Sequence, residues 1–248
     1  MRPVKSEPPF IVVAVGLAFE ARIARTVRTA RVCCGRGPVM AAALDAALGP
    51  QCAGILSFGI AGGLDPALRP GTPLIASAVI GESSHLPTDE DWSRMLLASH
   101  PAAVHAPLLS VDEPIVDPAG KDRQFQRTGA AAVDMESHIA AAAAKKHGLP
   151  FAALRVIADP AQRHVPPSAM RGMREDGRTD AIALLRALAR RPRDIAGLVG
   201  IARDAWTARL TLARCRCVGD LDQNVRKVVL RTRRPNQGEF VCRFAVLS

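Results

Sequence analysis

Continuous apolar runs and segments of helical character alternate along most of the chain. Residues 11–15 form a β-branched run that ends at Gly16, a pattern typical of a strand buried on both faces of a sheet. A helix is predicted from about Ala18, and a second one at residues 39–48, where Pro38 suits the first turn. This repetition of strand, turn and helix predicts an α/β layer fold.

The middle of the chain continues this alternation, with one irregular part. Residues 52–58 and 72–80 are predicted strands, and the glycine-rich segment at residues 59–63 is predicted to form a turn of exposed amides. Residues 81–110 have no regular pattern, so surface loops around a short helix are expected there. The later elements are expected to be strands at residues 130–133 and 151–158, a helix at residues 137–147 closed by Gly148, and helices at residues 180–190 and 195–214.

The formal charge of +10 lies almost entirely near the C-terminus. Residues 1–170 carry 16 basic and 15 acidic side chains, so residues 171–248 hold +9 of the total. Such a segment either contacts a polyanion or is a solvated arginine-rich face. Because it has no recognised nucleic-acid motif and no stacking aromatics, no nucleic-acid partner is expected. The predicted organisation is one folded domain of residues 1–214 and a basic C-terminal extension of residues 215–248.

The cysteine spacing indicates whether the chain binds a metal or forms disulfides, and the apolar runs indicate whether it enters a membrane. The six cysteines form no C-x-x-C pair and no Cys/His zinc spacing, so reduced thiols, a cytoplasmic protein and no metal are expected. The apolar run at residues 10–19 is followed at once by Glu20 and Arg22 without a cleavage site, which favours a buried strand over a signal peptide. No apolar run reaches the length of a membrane span.

Two acidic residues directly follow predicted strands. Glu136 comes after the strand at residues 130–133, and Asp159 follows the strand at residues 151–158. Ligands bind at this edge of open α/β sheets. Cleavage of an N-glycosidic bond develops positive charge on the sugar and negative charge on the departing base, so a carboxylate and a carboxylic acid suit it. Either residue alone could equally cap a helix.

Three strings resemble the purine nucleoside phosphorylase and nucleosidase family and occur in the family's order. They are SFGIAGGL at residues 57–64, AVDMES at residues 132–137 and RVIAD at residues 155–159. With GLAFE at residues 16–20 and GRGP at residues 35–38, the resemblance covers about residues 9–190. It implies a three-layer α/β/α fold with a central mixed sheet and an enzyme without a cofactor.

The resemblance also implies roles for individual residues. Met135 would pack beneath the ribose, Glu136 would accept hydrogen bonds from the ribose hydroxyls, and Asp159 would protonate the purine at N7. Desolvation beside the base would raise the pKa of Asp159 toward the working pH. The substrate site would further include Asp134, Ile60, Ala61 and Gly62. Ile60 replaces the small polar residue that is common at this place in the family.

The choice between water and phosphate depends on two other residues. Glu20 matches a glutamate that helps to activate water in the nucleosidase branch. The arginine that phosphorylase branches typically have close before the string at residues 57–64 is missing here, which also favours hydrolysis. Arg155 lies four residues before Asp159, so strand alternation places both on one face, where Arg155 would orient Glu136 or the nucleophile. The alternative for Arg155 is a purely structural buried ion pair. Phosphate stays a candidate co-substrate, held by Arg22, Arg25 or Arg36.

Residues 16–24, GLAFEARIA, together with the short middle region, resemble the hopanoid-associated phosphorylase branch of the family. The implied substrate is adenosylhopane, a lipid-linked adenine nucleoside. The alternative is methylthioadenosine or adenosylhomocysteine, cleaved by the same carboxylates with a different pocket for the 5′ substituent. The family also implies a homodimer.

The helix predicted at residues 195–214 carries one apolar stripe, flanked by Arg203 and Arg214. One interpretation is that the stripe packs on the sheet as the last helix of the fold. The other is that it rests on an anionic bilayer, which would place a cytoplasmic enzyme peripherally on the inner membrane. The stripe consists of Ile195, Leu198, Val199, Ala202, Trp206, Leu210 and Ala213.

Overall fold

The computed structural model describes residues 8–165 and 195–217. This part of the chain contains eight strands and six helices. The strands are β1 (Phe10–Val15), β2 (Ala30–Cys34), β3 (Cys52–Gly63), β4 (Pro73–Ile80), β5 (His85–Pro87), β6 (Val104–Ser110), β7 (Ala132–Asp134) and β8 (Phe151–Asp159). The helices are α1 (Ala18–Ala24), α2 (Gly37–Ala47), α3 (Glu90–Ser99), α4 (Pro118–Thr128), α5 (Ser137–His147) and α6 (Ile195–Cys217).

The strands form one mixed sheet that closes on itself at one end. β1 pairs in parallel with β2 and β3, and β3 pairs in parallel with β8. β8 is antiparallel to β4, β4 is parallel to β6, and β6 is parallel to β7. The end of β3 pairs antiparallel with β7 through Gly62 and Gly63. Strands β3, β8, β4, β6 and β7 therefore form a closed circuit, because the 12 residues of β3 are long enough to reach both β8 and β7.

The side chains of β1 show how the layers are built. Ile11, Val13 and Val15 join an apolar cluster with α1, α3 and α6 on one face of the sheet. Val12 and Ala14 join a second cluster with α2 and α5 on the other face. All five are at most 1% exposed, which explains why the run is apolar at every position. The predicted α/β fold with a central mixed sheet between two helical layers is confirmed.

Several predicted elements are confirmed with small shifts. α1 begins at Ala18 as predicted, and α2 spans Gly37–Ala47 with a proline in its first turn. α5 has the predicted bounds Ser137–His147. It ends at Gly148, whose φ of 61° lies in the left-handed region that a glycine adopts without a steric penalty.

Two predictions about the middle of the chain are wrong. Residues 59–63 do not form a turn, because β3 continues through them to Gly63. The short helix expected within residues 81–110 is α3, but the segments around it are not only loops, since they contain β5 and β6. The last residues of β6 are buried because this strand lies between β4 and β7 in the closed circuit. The elements β2 and α4 were not predicted.

Helix α6 packs on the sheet through a different face from the predicted apolar stripe. Among residues 200–215, whose side chains the structure describes, the buried residues of α6 are Ala208, Leu212 and Cys215, which join the cluster beneath β8. Trp206 and Leu210 are exposed instead, at 57% and 44%. Packing of the stripe on the sheet is therefore wrong for these two residues, and the side chains of Ile195, Leu198 and Val199 lie outside the described part of the structure. Within the described residues, no helix is long and apolar enough to cross a membrane.

The ends of the chain bear on the predicted domain organisation. α6 continues to Cys217, so the predicted boundary after residue 214 falls inside this helix. The helix predicted at residues 180–190 and the extension beyond residue 217 lie outside the described residues. The separate C-terminal extension stays a prediction.

The two faces of α6 provide a matched pair of substitutions. Leu212→Ala removes a fully buried side chain and should lower the free energy of unfolding by about 2–5 kcal/mol. Leu210→Ala acts on the exposed face and should change it by roughly 0.5 kcal/mol or less. Urea unfolding followed by circular dichroism measures both values. Equal losses in the two variants would contradict this orientation of the helix.

Candidate active site

Four charged side chains meet where β3, β7 and β8 adjoin α1. Glu20 lies on α1, Asp134 ends β7, Glu136 precedes α5, and Arg155 lies within β8. All four are buried, and Glu136, the most accessible, is 7% exposed. We call these residues the charged cluster. All four were selected from the sequence, and the structure brings them together.

Arg155 makes the largest number of polar contacts in the charged cluster. Its Nη2 atom lies 2.6 Å from Asp134 Oδ2 and 3.9 Å from Glu136 Oε2. The same atom donates hydrogen bonds to Ser57 Oγ at 2.6 Å and to Ser137 Oγ at 3.2 Å. The main partner of Arg155 is therefore Asp134, and Glu136 lies at the margin of its reach.

Glu20 is held by two backbone amides. Its Oε1 accepts a hydrogen bond from Ile60 N at 2.7 Å, and its Oε2 accepts one from Leu17 N at 2.8 Å. Burial raises the pKa of Glu20 to about 7, although Arg155 lowers it, and the nearby Glu136 adds to the increase. Glu20 thus changes its charge near neutral pH.

Two glycines allow the carboxylates to come this close to the sheet. A Cβ atom at Gly59 would clash with Glu20 Oε1 and would lie 2.6 Å from Arg155 Nη1. A Cβ atom at Gly16 would lie 2.7 Å from Glu136 Oε1. Real Cβ atoms essentially never come this close to an oxygen, so a larger residue at either glycine would displace these carboxylates.

The cation nearest to Glu136 is Arg36, whereas Arg155 is the residue expected from the sequence to orient this carboxylate. Arg36 Nε lies 3.3 Å from Glu136 Oε1, and Arg36 Nη2 lies 2.6 Å from Met135 Sδ. Burial raises the pKa of Glu136, Arg155 and Arg36 lower it, and Asp134 raises it further. Glu136 occupies the N-cap position of α5, but its side chain makes no capping hydrogen bond. The simple interpretation of Glu136 as a helix cap is therefore wrong.

Asp159 lies at the end of β8 beside a lysine that sequence reasoning missed. Its Oδ2 atom accepts a hydrogen bond from Lys121 Nζ on α4. Burial raises the pKa of Asp159 and the neighbouring Lys121 lowers it. A Cβ atom at Gly62 would lie 3.3 Å from both Asp159 oxygens, so the carboxyl group faces the backbone of β3.

Arg155 and Asp159 do not share the environment that their spacing predicts. The register between β3 and β8 shifts by one residue just before Asp159, because Ala61 pairs with Ile157 and Gly62 pairs with Asp159. Such a shift interrupts the two-residue alternation on which the prediction rested. Arg155 contacts Asp134, whereas Asp159 contacts Lys121. The expectation of one shared face is wrong.

The remaining predicted substrate residues line the end of β3 and the start of α5. Ile60 contributes its amide to Glu20, and its carbonyl oxygen lies 3.5 Å from Arg155 Nη1. The side chain of Ala61 packs in the apolar cluster beneath α2 and α5, so only its backbone is available to a ligand. Gly62 links β7 to the end of β8, since it pairs with both Val133 and Asp159.

Three solved structures share this fold at low sequence identity. The 5′-methylthioadenosine/S-adenosyl homocysteine nucleosidase of Campylobacter jejuni has a TM-score of 0.60 at 13% identity, covering 87% of this chain and 99% of that chain. The corresponding enzyme of Neisseria meningitidis, in complex with methylthio-immucillin-A, has a TM-score of 0.61 at 14% identity, with 86% and 99% covered. The futalosine hydrolase of Helicobacter pylori has a TM-score of 0.55 at 15% identity, with 62% and 88% covered.

A family model extends this likeness to the sequence. No curated protein sequence gives a significant match. The model described as the phosphorylase superfamily matches residues 5–190, which is well over half of the chain and includes the charged cluster and Asp159. The chain therefore belongs to the phosphorylase superfamily and is, as predicted, an enzyme.

Proposed function

We propose that this enzyme hydrolyses the N-glycosidic bond of an adenine nucleoside. The observation that carries the proposal is the state of Glu20. Its carboxyl group is buried, has a pKa of about 7 and lies close to both Gly59 and Arg155. A carboxylate with this pKa is ionised in a large fraction of molecules at neutral pH. At that pH, Glu20 can therefore accept a proton from an attacking water molecule.

Glu136 is the residue proposed to face the sugar. Its carboxylate is not used to cap α5, so its oxygens can accept hydrogen bonds from ribose hydroxyls. Positive charge develops on the ribose as the bond to the base breaks, and charge-assisted hydrogen bonds from those hydroxyls stabilise it. Met135, held by Arg36, is the proposed apolar surface beneath the ribose.

Asp159 is the residue proposed to protonate the base. Burial raises its pKa, which favours the protonated form that a general acid needs. The departing adenine takes the electron pair of the broken bond, and a proton from Asp159 to N7 makes it neutral. Water supplies an oxygen atom to the sugar carbon, and the proton of that water passes to Glu20. The products are adenine and a free ribosyl compound.

The charge balance of the site supports water as the nucleophile. Arg155 pairs with Asp134, and Arg36 pairs with Glu136, so both cations already face carboxylates. A phosphate beside Glu20 and Glu136 would bring a further negative charge next to two acidic groups. Phosphorolysis of the same substrate to a phosphoribosyl product is the alternative.

We further propose that the substrate is lipid-linked, with adenosylhopane as the candidate, and that α6 contacts an anionic bilayer. The exposed side chains of Trp206 and Leu210 lie on one face of α6, with the exposed Arg203 and Arg209 beside them. The Arg209 guanidinium lies 5.5 Å from the ring centre of Phe19, which directly precedes Glu20. This exposed surface thus adjoins the helix that carries the proposed base.

Two parts of this proposal have alternatives. The competing substrates are methylthioadenosine and adenosylhomocysteine, the compounds in the name of the Campylobacter jejuni relative. The homodimer implied by the family resemblance stays a prediction.

Adenine release from adenosylhopane and methylthioadenosine, each with and without phosphate, tests the reaction. We expect release without phosphate and a free ribosyl product in mass spectrometry. Asp159→Asn is the negative control, because an amide cannot donate the proton, and turnover should fall by about 10²- to 10⁴-fold. A strict phosphate requirement would contradict hydrolysis, and near-normal release by the variant would exclude Asp159 as the acid.

The pKa of Glu20 predicts the acid limb of the pH profile. As the pH falls through about 7, kcat/KM should decrease, because protonated Glu20 cannot accept the proton of water. Glu20→Gln should lose most activity and the acid limb with it. Glu90→Gln, at an exposed position on α3, is the matched control and should keep both. An acid limb near the ordinary pKa of glutamate would contradict the role of Glu20.

Co-sedimentation with anionic and neutral vesicles tests the proposed bilayer contact. We expect binding to anionic vesicles at low salt, weaker binding at high salt, and a change in Trp206 fluorescence. Leu210→Glu should reduce binding, whereas Val39→Glu should not, because Val39 is an equally exposed apolar residue on α2 in the opposite layer. If the protein binds neither type of vesicle, the proposed contact between α6 and an anionic bilayer is wrong.

A further inference from the structure

Lys121 is a fully buried cation in an unfavourable position. Its side chain is 0% exposed and lies in the first turn of α4, four residues after the N-cap Asp117. Removal of an ammonium group from water is costly, and the N-terminal end of a helix carries a partial positive charge that repels it. The surroundings of Lys121 must therefore compensate for both effects.

Three acceptors surround the Lys121 ammonium, and all three belong to the end of β8 and the loop after it. The Nζ atom donates to the Asp159 carboxylate, to Pro160 O at 3.1 Å and to Arg163 O at 3.3 Å. An ammonium group has three protons, so each proton has an acceptor. Lys121 thus binds the carboxylate of Asp159 and the backbone that follows it as one unit.

The same loop is held from the other side by α6. The Arg163 guanidinium binds Asp204 Oδ2 with Nη2 at 2.7 Å and Nε at 3.1 Å. A Cβ atom at Gly200 would lie 2.8 Å from Arg163 Nη1, so this side chain runs close along the helix. Residues 160–163 are therefore fixed between α4 and α6.

We propose that Lys121 is the positioning residue for the acid: its ammonium clamps Asp159 and the following loop so that the carboxyl group faces the base site beside Gly62. This inference rests on the proposed function, in which Asp159 protonates the leaving base. Sequence reasoning did not select Lys121, and its contacts with Asp159 are the observation that assigns this role.

The clamp also sets the balance between the two protonation states of Asp159. The charged groups that face Asp159 are Lys121 on α4, Arg163 in the loop and Asp204 on α6. The two cations lower the pKa of Asp159, and Asp204 raises it together with burial. Loss of the Lys121 charge should therefore raise this pKa, so that the acid stays protonated at a higher pH but is a weaker proton donor.

A thermal unfolding cycle tests the clamp without any substrate. Asp159→Asn leaves a buried ammonium without its carboxylate, so its Tm should fall below that of the wild type. Addition of Lys121→Met to that variant removes the unpaired charge and should recover part of the lost Tm. Lys146→Met, an exposed lysine on α5, should leave Tm nearly unchanged in either background. Absence of recovery in the double variant would overturn the clamp.

The pH profile of adenine release tests the positioning role. The alkaline limb of kcat/KM should report loss of the proton from Asp159, the proposed acid. In Lys121→Met this limb should move to higher pH, and the kcat on the plateau should fall about tenfold or more. A purely structural lysine would lower Tm and leave the alkaline limb unmoved, and that result would overturn the proposal. Lys121→Gln repeats the measurement with a neutral polar side chain if the methionine variant does not fold.

The two experiments separate failure of the clamp from failure of the proposed reaction. If the wild type releases adenine and Lys121→Met keeps its kcat and alkaline limb, the positioning role is overturned and the reaction stands. If the wild type cleaves no adenine nucleoside, the proposed function fails, and the unfolding cycle still decides whether Lys121 holds Asp159.

Discussion

A guanidinium buried within a central strand is the constraint on which the rest of the site depends. Arg155 lies on β8 between β3 and β4, where it is 1% exposed and can be stable only with polar partners from the neighbouring strands. Asp134 supplies the opposite charge, Ser57 supplies a hydroxyl acceptor, and Gly59 supplies space. One side chain therefore fixes β3, β7 and β8 relative to each other, and the carboxylates are held in place before a ligand arrives.

The two buried cations divide the site into a sugar half and a base half in the proposed reaction. Arg155 belongs to the first and Lys121 to the second, and each binds an aspartate. Separate cations allow the carboxyl groups of the two halves to differ in protonation at one pH, which hydrolysis by one acid and one base requires. Gly62, which pairs with β7 and with Asp159, is the backbone link between the halves.

The parts of this fold that could be predicted are those with a local signal. β1 is covered on both faces and is therefore apolar throughout, and α5 ends at a glycine. The prediction of a turn at residues 59–63 is wrong because glycines mark either a turn or the close approach of other groups. Only the positions of Glu20 and Arg155 in space distinguish the two cases. Lys121 gave no signal because its partner lies 38 residues away, whereas the charged cluster was found through its family strings.

The closed circuit of strands has a consequence for the synthesis of the chain. β3 cannot complete its pairing until β8 has been made, and on the order of 100 residues separate them, which takes the ribosome about 5–20 s. During that time one edge of a buried 12-residue strand has no partner from β8 and is open to pairing with other chains. Pairings between residues this far apart in sequence also form slowly after release. The sheet closure that brings Gly62 beside Asp159 thus makes the early strands depend on β8 for protection from aggregation.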